Sequence, residues 1–225
     1  MLQYYFDLLP IIVFLFFLIQ GKKTRMLLWV ILFYAAYSFG NNTIVVFLDD
    51  HGSNPAIWLY IFTVIEYTLF AFFIYHVLSD VVYKRALLTI SVLFITFCLF
   101  NIFFQPQYQF DSLQTSIEAL ILLIFCILFL FEQINKPEIT FIYNSYTFWI
   151  ITGILIYLAA NFFLYGFAAT LPKEIAEQYW FISHISNILK NIFFAIAVII
   201  HIKKPPNTSI AQKPPGRQDY LPYLN

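Results

Sequence analysis

Seven apolar stretches dominate the sequence, and each is long enough to cross a lipid bilayer. A spanning helix needs roughly 20 apolar residues to cross a hydrocarbon core about 30 Å thick. Because these stretches are hydrophobic on every face, they are typical of helices that contact lipid. We therefore predict an all-α, polytopic membrane protein, a seven-transmembrane-helix bundle embedded in the lipid bilayer. The predicted helices span residues 3–20, 26–48, 56–78, 86–104, 114–132, 147–170 and 179–202.

The composition leaves little room for any other domain. The chain has 225 residues, of which 61% are hydrophobic and 11% are charged. We expect residues 1–204 to form one membrane domain, without a soluble catalytic domain. The formal net charge is zero, so no bulk field favours nucleic acid as a partner. Cys98 and Cys126 lie in apolar stretches and are interpreted as small hydrophobic side chains.

The charged residues between the helices predict the orientation. Of the twelve Lys and Arg residues, all except Lys173 and Lys190 follow the first, third, fifth or seventh predicted helix. By the positive-inside rule these ends are cytoplasmic, which places the amino terminus outside and the carboxyl terminus inside. No basic residue precedes the first apolar stretch and no small-residue cleavage site follows it, so we interpret it as an uncleaved span.

A repeated aromatic and amide pattern suggests an internal duplication. Trp, Tyr and Asn occur with the same spacing in the second and sixth predicted helices, at Trp29, Tyr37 and Asn41 and at Trp149, Tyr157 and Asn161. The pattern suggests a 3+1+3 arrangement, which resembles the PQ-loop and sugar-exporter class in architecture only. The Pro-Gln pair of that class belongs in helices 1 and 5, whereas Pro106-Gln107 lies in a predicted outer loop. In a chain that is 21% aromatic, chance matching stays an open alternative.

Two ionisable residues are predicted to lie deep in the membrane. Glu66 follows Trp58 by eight residues and Lys190 follows Trp180 by ten, so both lie roughly 12–15 Å below the outer interface. An ionisable group in a bilayer is costly, and pairing with the opposite charge offsets part of that cost. We predict that these two residues pair and form the centre of a polar pocket that opens to the outside.

Amides surround this predicted pair. Ser183, Asn187, Lys190 and Asn191 have i, i+4, i+7, i+8 spacing, which places them on one face of the last helix. The alternative for any single Asn or Ser is a hydrogen bond between helices, worth about 0.6 kcal/mol on average. The predicted ligand-binding residues are Glu66, Lys190, Asn161, Asn187, Asn191, Asn41 and His184.

Four further polar residues are placed to line the same region nearer the outside: Asp7, Asn42, Glu118 and His184. For Asp7, Glu118 and His184 we favour contact with the lipid headgroups.

The sequence contains no zinc-binding helix, phosphate-binding loop or nucleophile elbow. We therefore predict a protein that is not an enzyme, with no catalytic residues, no cofactor and no metal site. A remote alternative is retinal binding at Lys190 with Glu66 as counter-ion. That resemblance to rhodopsins covers these two positions, and Ser186 stands where pump-type rhodopsins have Asp.

Residues 205–225 are predicted to form a disordered, Pro-rich cytoplasmic tail. Four apolar or aromatic residues near its end are a candidate docking peptide for a cytoplasmic signalling protein: Tyr220, Leu221, Tyr223 and Leu224. An inert tail is the alternative.

The chain also resembles small seven-helix membrane proteins of Bacteroidota, through Ser116-Ile117-Glu118-Ala119-Leu120 and the stretch from Phe148 to Asn161. This resemblance implies the bacterial inner membrane as location and brings no function with it. The leading functional hypothesis is a receptor-like sensor or accessory signalling subunit that binds a small solute or lipid. The alternatives are a small-solute transporter with a midplane site, in which Glu66 binds a proton or cation, and a structural subunit of a membrane complex.

Overall fold

The computed structural model describes residues 2–18, 26–104, 112–135, 142–168 and 173–203, and the regular structure in these ranges is helical. A 3₁₀-helix, Leu2–Leu8, leads into α1, and a second short 3₁₀-helix, Ile142–Asn144, precedes α6. The α-helices are α1 (Leu9–Leu18), α2 (Met26–Asp50), α3 (Ala56–Val77), α4 (Val81–Phe104), α5 (Ser112–Ile134), α6 (Tyr146–Ala168) and α7 (Lys173–Lys203).

Six of these helices, α2 to α7, contain segments long and apolar enough to cross a membrane. The prediction of an all-α fold is therefore confirmed for the described residues, and the six apolar helices support a multi-pass membrane protein. The first predicted span is represented by α1 and the 3₁₀-helix before it. Pro10 lies in the first turn of α1, where its missing N–H leaves no intrahelical hydrogen bond unmade. Residues 19–25 lie outside the described residues, so the seventh span stays a prediction.

Two helices, α4 and α7, begin at least five residues earlier than predicted. α4 begins at Val81 instead of residue 86, because the Asp80 carboxylate accepts a hydrogen bond from the Val82 N–H at 2.6 Å. Glu132 of α5 holds this helix start, since its carboxylate accepts the N–H groups of Ser79 and Asp80 at 2.8 and 3.0 Å. α7 begins at Lys173, so Trp180 is its eighth residue and not its start. The predicted tail, residues 205–225, lies outside the described residues.

Six helices form a closed ring, in the order α1, α2, α3, α5, α6, α7 and back to α1. The fourth helix, α4, packs on the outside of this ring against α3 and α5. α6 and α7 pack closely together at Gly153 of α6. A Cβ there would lie 3.0 Å from the Phe193 side chain and 3.2 Å from the Lys190 carbonyl oxygen of α7.

Both the surface and the interior differ from those of a typical water-soluble protein. Large apolar side chains are exposed on the outer surface, among them Phe33, Val92 and Leu93, each about 60% exposed. Apolar surface of this kind is typical of contact with lipid. Beside a large apolar core, the interior contains these polar and charged side chains: Asp7, Ser38, Asn41, Thr63, Glu66, Asn101, Gln114, Glu118, Asn161, Ser186, Lys190 and Asn191. A polar site inside the ring is thus the feature that packing alone does not explain.

Candidate functional site

A cavity with a volume of about 440 Å³ lies inside the ring. Its walls come from the second half of α2, the first half of α3, the start of α5, the second half of α6 and the first half of α7. These segments all belong to one half of the bundle, which the charge pattern predicts to be the outer half. The polar side chains that line the cavity are Ser38, Asn41, Asn42, Thr63, Glu66, Thr115, Glu118, Tyr157, Asn161, Tyr165, Ser183, His184 and Asn187.

The two predicted partners, Glu66 and Lys190, are connected through the hydroxyl group of Tyr34. This hydroxyl donates to Glu66 Oε1 at 2.5 Å and accepts a hydrogen bond from Lys190 Nζ at 2.6 Å. The two side chains therefore lie close together, but a third residue stands between them. Sequence reasoning missed Tyr34, although Tyr34, Ser38 and Asn41 have the i, i+4, i+7 spacing of a single helix face.

Lys190 lies behind the cavity wall instead of in it. Its ammonium group is 3.9 Å from the ring centroid of Tyr157 and 4.7 Å from that of Tyr34. Rings at these distances attract a cation through their quadrupole, which offsets part of the cost of burying the charge. The predicted placement of Lys190 and Asn191 in the pocket is therefore wrong, because neither side chain lines the cavity.

Asp7 is the centre of a buried hydrogen-bond cluster. Its Oδ2 accepts from Ser38 Oγ at 3.3 Å and Asn42 Nδ2 at 2.9 Å. Its Oδ1 accepts from Asn187 Nδ2 at 3.0 Å and Asn191 Nδ2 at 2.6 Å. The favoured prediction that Asp7 contacts headgroups is wrong, because this fully buried carboxylate joins the 3₁₀-helix to α2 and α7.

Glu118 is the opposite case. It is 1% exposed and lines the cavity, so the prediction that it reaches the headgroups is also wrong. Among the residues that the structure describes, no hydrogen-bond donor reaches either of its carboxylate oxygens. The buried hydroxyl of Thr115, one turn earlier on α5 and also in the cavity wall, likewise has no partner in the described ranges. Buried polar atoms are nearly always hydrogen-bonded, so this pair of exceptions needs an explanation.

Five other predicted site residues lie around this one cavity, and their role in ligand binding stays a prediction. Glu66, Asn41, Asn161, Asn187 and His184 all line the cavity. Two of the helices are also joined across it, because Ser183 Oγ donates to Asn161 Oδ1 at 2.8 Å.

The acidic side chains in the cavity wall are Glu66 and Glu118, and no Lys or Arg side chain lines it in the part of the chain that the structure describes. The same part contains no group of three or more His, Cys, Asp and Glu side chains placed to hold a metal ion. The arrangement can bind a small polar molecule through carboxyl, amide and hydroxyl groups.

A comparison with protein families, curated proteins and solved structures found no match to this chain. The fold and the cavity define a multi-pass helical membrane protein with a polar internal site, and its function is argued from that geometry.

Proposed function

We propose that the protein is a receptor-like membrane sensor that binds a small solute in the cavity. The observation that carries the proposal is the cavity itself, which is enclosed by five helices and lined by two carboxylates. Its volume lies within the range of small-molecule sites, which is roughly 300–1,000 Å³. Ionisable residues inside a membrane bundle mark functional sites more often than they add stability.

The packing below the cavity favours sensing over a permanent channel. Tyr34, Phe70, Phe73 and Phe194 are fully buried and belong to one continuous apolar core. Tyr34 stacks against Phe70 with ring centroids 4.5 Å apart, directly beside the charged floor of the cavity. A solute that enters from the outer half therefore meets closely packed rings, and its binding energy is available to change how the helices pack.

The path of the signal follows from the predicted orientation, with the amino terminus outside and the carboxyl terminus in the cytoplasm of a bacterial cell. A solute that binds one packing state of the bundle more tightly shifts the population toward that state. We propose that α7, which contributes Asn187 to the cavity and continues to Lys203, carries this shift to the cytoplasmic side. The tail, with Tyr220 and Leu221 near its end, would then dock a separate signalling protein.

Solute binding can be tested with a variant in which the cavity is filled. We expect a panel of small polar solutes to include members that raise the Tm of the full chain in lipid nanodiscs. Ala119 is buried in the cavity wall, so Ala119→Phe should abolish the shift. Ala36 is exposed on the outer face of α2, so Ala36→Phe should keep it. A shift that survives Ala119→Phe, or a panel without any hit, would contradict the proposal.

A small-solute transporter is the second candidate, and the order of the helices favours it. The cyclic order of the ring is unchanged when α1, α2 and α3 are exchanged with α5, α6 and α7. The 3+1+3 duplication would produce this symmetry, and such repeats are common in transporters. Uptake of a solute hit into liposomes separates the two candidates, since a transporter gives flux that Glu66→Gln abolishes. A sensor gives no flux but changes hydrogen exchange at the distant loop with Ser79 and Asp80.

A further inference from the structure

We infer that the ligand of this cavity is a small organic cation, a primary amine with an apolar body, whose ammonium group binds the Glu118 carboxylate. The inference rests on the proposed function and names the chemical class of its solute. It begins from the contrast between Glu118 and the other buried acids of the bundle. Asp7 accepts four hydrogen bonds and Glu66 accepts one from Tyr34, whereas Glu118 accepts none from the described residues.

In the described part of the chain, Glu118 lacks a hydrogen-bond donor, and a positively charged donor would stabilise its carboxylate most. The ionised form of a carboxyl group that is buried without a partner is costly, so a ligand that brings a positive charge stabilises it more than a neutral ligand does. An ammonium group provides both the charge and three N–H donors. Thr115, three residues before Glu118 on the same face of α5, adds a hydroxyl oxygen as a second acceptor.

The amides in the cavity wall are oriented to match such a ligand. Asp7 engages the donor nitrogens of Asn42 and Asn187 at 2.9 and 3.0 Å. Each of these two side chains therefore has its oxygen, an acceptor, left to offer to the cavity that both residues line. The cluster around Asp7 thus makes the neighbouring wall rich in acceptors.

The buried cation of the bundle does not compete for this site. The Lys190 ammonium group is engaged by the Tyr34 hydroxyl and lies against the ring of Tyr157, outside the cavity wall. An anionic solute would face Glu66 and Glu118 without a lysine or arginine in the described part of the lining. Electrostatics therefore favour a cation over an anion.

The apolar part of the wall indicates what the ammonium group is attached to. Val45, Leu59, Phe62 and Leu158 line the cavity together with the polar residues. A volume of about 440 Å³ is far larger than an inorganic ion needs. An aliphatic or aromatic amine fills both parts of such a site, with its charge on Glu118 and its body against these side chains.

Two matched sets of probes test this inference, and within each set mainly the polar group differs. One set is benzylamine, benzyl alcohol and benzoate, and the other is butylamine, butanol and butyrate. Binding is measured by calorimetry at pH 7 on the full chain in nanodiscs, with empty nanodiscs as the baseline. We expect the amines to bind at least tenfold more tightly than the alcohols and carboxylates of the same set.

The variants then assign the effect to one carboxylate. Glu118→Gln should weaken amine binding at least tenfold, and Thr115→Val should weaken it less, which gives a second variant if the first folds poorly. Glu132→Gln is the matched control, because Glu132 is on the same helix but holds the α3–α4 connection. It should leave amine binding unchanged.

The outcomes separate this inference from the proposed function. If the alcohols or carboxylates bind as tightly as the amines, or if Glu118→Gln leaves amine binding unchanged, the inference is overturned. The sensor proposal survives that result as long as binding is still lost in Ala119→Phe. If no probe of either set binds, the inference is overturned, and the wider solute panel alone decides on the proposed function.

Discussion

Asp7 and Glu118 are equally buried carboxylates that lie on different sides of the same cavity, at 0% and 1% exposure. Asp7 is behind the wall formed by α2 and α7 and accepts four hydrogen bonds. Glu118 is in the wall formed by α5, and no donor from the described residues reaches it. The same chemical group is thus fully satisfied in one region and left open in the other.

The difference separates what holds the bundle together from what the bundle does. A polar group that makes all its hydrogen bonds fixes a single packing of its helices. A buried group without partners opposes folding, and natural proteins keep such groups where function requires them. The Asp7 region is therefore a structural joint between helices, and the Glu118 region is the part of the wall that we propose binds a ligand.

The largest loss of stability is expected when the charge pair of Glu66 and Lys190, next to the Asp7 region, is broken. Lys190→Met leaves Glu66 buried without its cationic partner, and breaking a buried pair costs about 3–5 kcal/mol. Unfolding of the purified protein by a denaturing detergent measures this loss. The double variant with Glu66→Gln should recover more than half of it, and equal losses in the single and double variants would rule out an energetic link.

Removal of the Asp7 carboxylate comes next. Asp7→Ala leaves the donors of Ser38, Asn42, Asn187 and Asn191 without their acceptor, and we expect a loss of about 2–4 kcal/mol. The same unfolding by a denaturing detergent measures this loss of stability. A loss below that of the lipid-facing control Ala36→Phe would show that Asp7 is not a joint.

A smaller effect is expected for the hydroxyl that links the two charges. Tyr34→Phe keeps the ring packing against Phe70 and removes one donor and one acceptor, at a cost of about 1–2 kcal/mol. In the background of Lys190→Met and Glu66→Gln the same change should cost much less. An undiminished cost in that background would mean that the hydroxyl does not act through the pair.

The smallest loss of stability is expected for Glu132, whose carboxylate is hydrogen-bonded but only half-buried. Glu132→Gln keeps one acceptor oxygen for the N–H groups of Ser79 and Asp80, so we expect a loss of about 0.5–1 kcal/mol. Amide hydrogen exchange at Ser79 and Asp80 should become faster in this variant. Unchanged exchange would show that α5 does not hold the start of α4.

The sequence predicts the helices well because their signal is local and strong. Long apolar stretches define α2, α3, α5 and α6 within a few residues. The starts of α4 and α7 lie at least five residues earlier than predicted, and for α4 a side chain from another helix, Glu132, fixes the boundary. The depth of Glu66 and Lys190 also follows from counting residues along a helix of known rise.

The partners inside the bundle could not be predicted in this way. Tyr34 lies between Glu66 and Lys190 because α2, α3 and α7 meet there. The order of the helices around the ring depends on the whole chain and cannot be predicted from the sequence of one helix. For the same reason, the sequence did not separate Asp7 from Glu118. Both occur near the start of an apolar stretch, but among the described residues one is hydrogen-bonded and the other is not. Asp7 meets the amides of α7, more than 170 residues away along the chain, and Glu118 faces a space.

One pair of variants tests the central claim most directly, since Asp7→Asn and Glu118→Gln make the same near-isosteric change of a carboxylate to an amide. Both are compared with the unchanged protein in the absence of ligand, by detergent-induced unfolding. We predict that Asp7→Asn lowers the free energy of unfolding by about 2 kcal/mol, because donors then face a donor, whereas Glu118→Gln raises it by about 1 kcal/mol. If Glu118→Gln destabilises the protein as much as Asp7→Asn does, Glu118 is a second structural joint and the account is wrong.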